Sequence, residues 1–302
     1  MVLSDTILTS ILDEAFEGVC LTGMDREVLF WNRRATSITG HSGEAVLGHR
    51  CQDHVLRHVD RHGRELCSTE DCPLLVPLRT EKSYQRDLFL HHREGHLIPV
   101  TVRTSAVVDS SGTAVGVSQY FLPRELQAPS RKVRVDWKQE ALTDALTGLG
   151  NRRAFRQAWA RAHRSLTKGQ TFGLLMVDVD RFKTVNDNHG HALGDKVLRM
   201  VARTLAGCIR QNDSAIRWGG EEFVILVSRA SLDTLSDLAE RIRVLVERGW
   251  VALVDGSHLS VTVSVGGAMV RPEDRVEDLV SRADQRLYEC KAGGRNRSQS
   301  GD

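Results

Sequence analysis

The chain has 302 residues, 41% of them hydrophobic and 26% charged, which excludes collagen-like, low-complexity and wholly disordered classes. At about 150 residues per domain the length predicts two domains, each with its own core. Forty-one Lys and Arg against 39 Asp and Glu leave a formal net charge of +2, so no bulk field argues for nucleic acid or an acidic membrane as partner.

The charge is unevenly divided. Residues 1–130 carry 13 basic and 17 acidic side chains, and residues 131–302 carry 28 and 22. No apolar run approaches the ~18–20 residues of a membrane span. The first 20 residues also lack the basic leader and unbroken apolar core of a signal peptide. The expected location is cytoplasmic, where thiols stay reduced.

In chain order, residues 18–22 and 28–31 flank the turn Gly23-Met24-Asp25-Arg26 and predict a hairpin. Asn32 is placed to cap a helix over 33–39, with Gly40 as its stop. Residues 84–91, 97–108 and 113–121 read as three strands separated by polar, Gly-containing turns. The sum is a small α+β domain over 1–122. A connector over 123–142 follows, in which residues 133–142 predict a helix with Val133, Trp137 and Ala141 along one thin apolar stripe. That stripe suits pairing with a second copy of the chain, and docking onto its own domain is equally allowed.

The remainder, 143–302, alternates buried strands with long helical patterns. Residues 172–177 are a continuous apolar strand ending at Asp178 and Asp180, and 196–209 place Val197, Leu198, Val201, Leu205 and Ile209 on one helical face. Residues 214–218 and 223–227 flank Gly219-Gly220-Glu221-Glu222, a hairpin tip. A helix over 231–247, an alternating strand over 259–265 with one buried face, and a helix over 278–290 complete a mixed sheet flanked by helices.

Asp178 ends a buried strand, where ligands collect in sheets of this kind. With Glu221 beside it, two carboxylates would share a divalent cation together with substrate phosphates. Gly219 and Gly220 would admit a bulky planar ligand close to the backbone. Lys291 and Arg295 follow the last helix and would neutralise phosphates. The competing reading makes Asp178 and Asp180 helix caps and the Gly-Gly-Glu-Glu run a solvated turn.

Residues 143–296 resemble the GGDEF domain of diguanylate cyclases, in its Gly-Gly-Glu-Glu-Phe form (residues 219–223). The resemblance extends to Asp144-Ala145-Leu146-Thr147-Gly148-Leu149-Gly150-Asn151-Arg152, to Asp178-Val179-Asp180-Arg181-Phe182-Lys183 and to Gly190-His191-Ala192-Leu193-Gly194-Asp195. It continues through Thr262-Val263-Ser264-Val265-Gly266 and the closing Lys291…Gly294-Arg295-Asn296. It implies a nucleotidyl-cyclase-like α/β fold that condenses two GTP into cyclic di-GMP and two pyrophosphates across a homodimer.

By the same resemblance Asp178, Glu221 and the Val179 carbonyl would hold Mg²⁺ or Mn²⁺, and Glu221 would assist deprotonation of the GTP 3′-hydroxyl. Asn186 and Asp195 would read guanine, with a helix N-cap as the alternative for Asp195. The amides near Phe182 and Lys183, together with Gly220, Lys291 and Arg295, would cradle the triphosphate. Arg210 and Asp213, at the family's inhibitory spacing, would bind cyclic di-GMP, with Arg241 assisting. A degenerate, non-catalytic nucleotide receptor is the main rival, and a cyclase making an adenine-containing product is a second.

Residues 1–122 resemble a PAS sensor domain, through Asp25-Arg26-Glu27-Val28-Leu29-Phe30-Trp31-Asn32 and the final three strands. The resemblance implies an antiparallel sheet with short helices. Within this half lie Cys51, His54, His58, His62, Cys67 and Cys72. If that stretch is helical, His54, His58 and His62 share one face. The six suit zinc, an iron–sulfur cluster, haem or a thiol redox switch. The competing reading is buried small thiols beside solvated histidines. The expected homodimer would form through the connector helix and this domain.

Overall fold

Strand β1 (Gly18–Gly23) turns into β2 (Val28–Trp31), and the chain leaves β2 through Asn32. Asn32 Oδ1 accepts from the Ala35 amide and caps the helix Arg33–Thr39, and Gly40, at φ 75°, ends it. These details come from a computed structural model that describes residues 5–51, 53, 55–124, 141–166 and 169–302. The helix expected over 133–142 lies outside the described residues, save Ala141 and Leu142, which form part of a turn. The chain divides into two compact units, Met1–Arg124 and Glu125–Asp302.

The first unit is one six-stranded antiparallel sheet in the order β2-β1-β6-β5-β4-β3. Its other strands are β3 (His58–Val59), β4 (Tyr84–His91), β5 (Leu97–Val108) and β6 (Ala114–Pro123). Short helices Gly43–Val46 and Val76–Thr80 join the capped one. The core is Trp31, Ile38, Leu56, Leu66, Leu74, Leu88, Leu90 and Phe121 with the Cys20, Cys51 and Cys72 thiols. The expected α+β domain with a closing meander is present.

The second unit holds a five-stranded sheet in the order β13-β12-β7-β9-β8. Its strands are β7 (Phe172–Val179), β8 (Ser214–Gly219), β9 (Glu222–Ser228), β12 (Val263–Met269) and β13 (Ser298–Gly301). Only the edge pair β12–β13 is parallel. Helices Arg152–Leu166 and Val276–Ala292 pack Phe155, Ala158, Leu279, Ala283 and Leu287 onto Leu174 and Met176. On the opposite face Leu235, from helix Leu232–Arg248, lies against Gly173. Helices on both faces explain why every residue of β7 is buried.

Two sequence expectations change here. The helix expected over 196–209 runs from His191 to Cys208, so Asp195 sits inside it and is not its N-cap. Gly190 holds that position without a side-chain bond. The alternating strand over 259–265 is two elements. His258–Leu259 (β11) pairs with Val251–Ala252 (β10), and β12 begins at Val263 with both faces buried. The physical reason is Asp180: its amide donates to the Thr262 carbonyl at 2.9 Å, and its carboxylate accepts from Thr262 Oγ1 and Ser264 Oγ, each at 2.7 Å. These bonds fix where the chain joins β7.

Candidate active site

The sheet delivers acids to one edge because β7 and β9 run antiparallel in a register that sets Asp178 opposite Glu222. The Val179 amide then donates to the Glu221 carbonyl at 3.3 Å. Between β8 and β9 the tip is only Gly220-Glu221, with Gly220 at φ 48°, a region that favours a residue without Cβ. Arg217 braces the tip: Nη2 and Nε donate to the Gly220 carbonyl at 2.8 and 3.0 Å, and Nη1 reaches Asp144 at 3.3 Å. Asp144 is itself held by the Thr147 amide and hydroxyl. The motif at 144–152 is therefore a strut for the hairpin tip, a role its sequence does not disclose.

Lys291, in the last turn of helix Val276–Ala292, places Nζ 2.8 Å from Asp178 Oδ2. Burial pushes the Asp178 carboxyl above the ordinary range, Lys291 pulls it back, and Glu221 and Glu222 push it up again. Acids that repel one another around a carboxylate only 7% exposed form an oxygen-rich donor set for a hard divalent cation. Asp178 and Glu221 have the chemistry of that donor set, and Glu221 acts on Asp178 across this edge.

Asp180 does not belong to the donor set. Beyond its bonds to Thr262 and Ser264, it accepts from the Asn296 amide at 3.0 Å. Oδ1 is taken by Ser264, and Oδ2 is shared between Thr262 and the loop that carries Arg295, whose own amide donates to the Cys290 carbonyl at 3.0 Å. Asn296 is also gripped by Arg243 and Glu247. Sequence separations of about 50 to 116 residues hide these contacts from any local pattern. The helix-cap reading of Asp178 and Asp180 fails, since Arg181, at φ 55° and with no side-chain cap bond, precedes helix Phe182–His189.

The first amides of that helix, Phe182 and Lys183, therefore lack a side-chain cap, the arrangement that receives phosphate at a helix N-terminus. One turn further, Asn186 Oδ1 is buried without a hydrogen-bond partner. It occupies space that a Cβ on Gly194 would fill. Asp195 follows Gly194 on the adjoining helix and is half-buried. The orphaned amide oxygen and the half-buried carboxylate are both acceptors for N–H groups. Arg295 is exposed beyond Lys291.

Elsewhere, Arg210 and Asp213 line a cavity of about 370 Å³ with Gly148, Arg161 and Ala206. Asp213 accepts from the Arg210 and Ser228 amides, each at 2.9 Å. Arg241 is not part of that lining. Its Nη2 donates to the Cys208 carbonyl at 2.9 Å, closing a helix C-terminus, and Arg161 supplies the cavity's second guanidinium.

The Cys/His set of the first unit does not share a helical face. His58 lies on β3 and is fully buried, with Nδ1 3.5 Å from Cys67 Sγ and Nε2 3.0 Å from Gln119 Nε2. His62 is exposed in a turn, and His54 lies outside the described residues. The Cys67 thiol donates to the Leu56 carbonyl at 3.3 Å. Cys67, and then the Leu74 and Leu75 amides, draw the Cys72 thiol below the ordinary range against burial, which raises it. Burial pushes Cys51 up to about 12. Among the described residues, the His/Cys/Asp/Glu group whose ligand atoms converge is a different one, His92, Glu94 and His96. The sequence reading passed over it.

Comparison with known proteins places residues 141–297 in the family described as "Diguanylate cyclase, GGDEF domain" and residues 12–125 in the PAS fold family. Diguanylate cyclase DgcM of Escherichia coli K12 is 46% identical over 156 residues, covering 51% of this chain and 37% of that protein. Diguanylate cyclase DgcP of Pseudomonas aeruginosa is 42% identical over 287 residues, covering 88% of this chain and 40% of that protein. The chain thus spans about two fifths of the length of these relatives. The GGDEF domain of DgcB from Caulobacter crescentus, solved in complex with c-di-GMP, superposes with a TM-score of 0.52 at 37% identity. That match covers 57% of this chain and 97% of DgcB's solved domain.

Proposed function

The chain belongs to the GGDEF-domain diguanylate cyclase family, and from that premise we propose that it condenses two GTP into one cyclic di-GMP and two pyrophosphates. The observation that carries the reading is the meeting of Asp178, Glu221 and Glu222 with Lys291 at one sheet edge, beside an uncapped helix N-terminus. Each 3′-oxygen attacks the α-phosphorus of the other nucleotide, the bond to pyrophosphate breaks, and the 3′-hydroxyl proton leaves toward Glu221. The family's divalent cation, Mg²⁺ in this reading, would be held by Asp178, Glu221 and the Val179 carbonyl and would neutralise charge on the phosphates.

The chain's own residues position the rest. Phe182 and Lys183 amides, with Gly220, Lys291 and Arg295, receive the triphosphate. The orphaned Asn186 Oδ1 and Asp195 accept from the guanine edge, which adenine cannot match because its N1 is itself an acceptor. Each site holds one nucleotide, so two copies must face each other, and catalysis is chiefly orientation. The segment 123–142 and the sensor domain 1–122 would pair the copies and govern how the cyclase domains, 143–302, meet.

Cyclic di-GMP would inhibit at the cavity lined by Arg210, Asp213 and Arg161. The buried Cys67 and Cys72 thiols are the redox-responsive element of the sensor in this proposal. No helix among the described residues is long and apolar enough to cross a membrane, and a cytoplasmic site of action is proposed. Glu221→Gln tests the reading. It should retain GTP binding and lose turnover, and wild-type turnover in that variant overturns it.

A further inference from the structure

The first unit holds a cluster that the nucleotide chemistry does not use. Strands β4 and β5 are joined by His92-Arg93-Glu94-Gly95-His96. The turn is well fixed: the His92 amide donates to the His96 carbonyl at 2.9 Å, and the Gly95 amide to the His92 carbonyl at 2.7 Å. The Arg93 amide donates to the Thr39 carbonyl at 2.8 Å, which ties the turn to the end of helix Arg33–Thr39 and brings His41 near. The His41 backbone is held as well, because its carbonyl accepts from Trp31 Nε1 at 3.2 Å.

One ligand atom from each of His92, Glu94 and His96 lies within 4.8 Å of the others. The two imidazole rings are stacked with centroids 4.3 Å apart, and a Glu94 carboxylate oxygen is 3.7 Å from His92 Nδ1. Two nitrogens here, His96 Nδ1 and His41 Nε2, are buried without a hydrogen-bond partner. Burial of such acceptors is costly unless something donates to them or they ligate a cation.

We propose that this turn is a binding site for one divalent first-row transition cation of the zinc class, ligated by His92, Glu94 and His96. Two imidazoles and one carboxylate suit such a cation and disfavour Mg²⁺ or Ca²⁺, which take oxygen ligands. Tetrahedral bonds of about 2.0–2.1 Å place ligand atoms about 3.3 Å apart. The Glu94 amide donates to His92 Nδ1 at 3.1 Å, so ligation through that nitrogen gives up this one bond, while the His92, Gly95 and Arg93 amide bonds hold the turn in place. A bound cation would clamp the β4–β5 turn, which the Arg93 amide already ties to the end of helix Arg33–Thr39. The site is separate from the Cys51, Cys67 and Cys72 thiols and does not rest on the cyclase reading.

The test is a titration of the full, reduced, metal-stripped chain with Co²⁺, followed by its ligand-field absorption and by competition with Zn²⁺. The expected result is saturation at one equivalent, with no thiolate-to-metal charge-transfer band, and displacement by Zn²⁺. His92→Ala and His96→Ala should each weaken binding about tenfold or more. Glu94→Gln, an exposed and conservative change, should weaken binding while leaving the melting curve of the metal-free chain unchanged. Three results overturn the proposal: no saturable Co²⁺ spectrum, unaltered affinity in Glu94→Gln and in whichever histidine variant folds, or a charge-transfer band that vanishes in Cys67→Ser.

Discussion

Asp178 and Asp180 stand two residues apart, and the structure gives them opposite consequences on removal. Asp180 is 6% exposed and accepts from Thr262 Oγ1, Ser264 Oγ and the Asn296 amide at 2.7, 2.7 and 3.0 Å. Hydrogen bonds to a charged acceptor contribute about 1.5–3 kcal/mol each. Because the three share one carboxylate they are not additive. Asp180→Ala also strands the fully buried Ser264 hydroxyl. The expected loss is ~3–5 kcal/mol, or about 10 °C in the melting of a domain this size.

Burial raises the Asp178 carboxyl, Lys291 lowers it, and Glu221 and Glu222 raise it again. Asp178→Ala should therefore stay within about 1 kcal/mol of the wild type, because the lost Lys291 pair is offset by relief from burial and repulsion, while abolishing GTP turnover. Urea unfolding of the full chain, followed by tryptophan fluorescence, separates the two variants. An Asp180→Ala chain as stable as the wild type, beside an Asp178→Ala chain that unfolds, would refute this division of roles.

His58 is buried and its pKa is pushed down to about 4 by desolvation, while an unfolded histidine titrates near 6.5. The unfolded chain therefore takes up the proton first. Stability from this group is present above about pH 6.5 and is lost as pH falls toward 4, by ~3 kcal/mol. Chemical denaturation at stepped pH should show that decline flattened in His58→Gln, and an unflattened decline would contradict it. Arg217→Ala releases both Asp144 and the Gly220 carbonyl. It should cost about 1–2 kcal/mol and lower kcat more than it raises KM, whereas unchanged kcat would detach the tip from its strut. Arg210→Ala and Arg161→Ala should each raise the cyclic di-GMP concentration needed for half-inhibition by about tenfold or more, the loss of a charge-assisted contact. Arg241→Ala should not, and the reverse ranking would move the product site.

Local pattern carried the element order and the acids at the site. The apolar run into Asp178 and the two-glycine tip before Glu221 are readable because strand length, burial and turn chemistry act over a few residues. Asn32 was readable as a cap for the same reason, since its bond to Ala35 spans three residues. What escaped depends on contacts between distant segments. Asp195 has the residue type of a cap, but its helix begins at His191, and nothing near it in sequence signals that start. Asp180 has the residue type of a cap, but Thr262, Ser264 and Asn296 take both its oxygens. Arg241 faces a helix end, and Arg161 occupies the cavity it was expected to serve. The histidine face failed because His58 joins a strand, where alternate side chains diverge. His92, Glu94 and His96 converge only through the hairpin turn.

The most direct test is the stoichiometry of product formed from GTP and Mg²⁺ by the purified chain, in a preparation confirmed as a dimer. One cyclic di-GMP is expected for every two pyrophosphates, with ATP giving neither. GTP that binds and is recovered intact, across reduced, oxidised and metal-loaded preparations, would contradict it and leave a nucleotide receptor in its place.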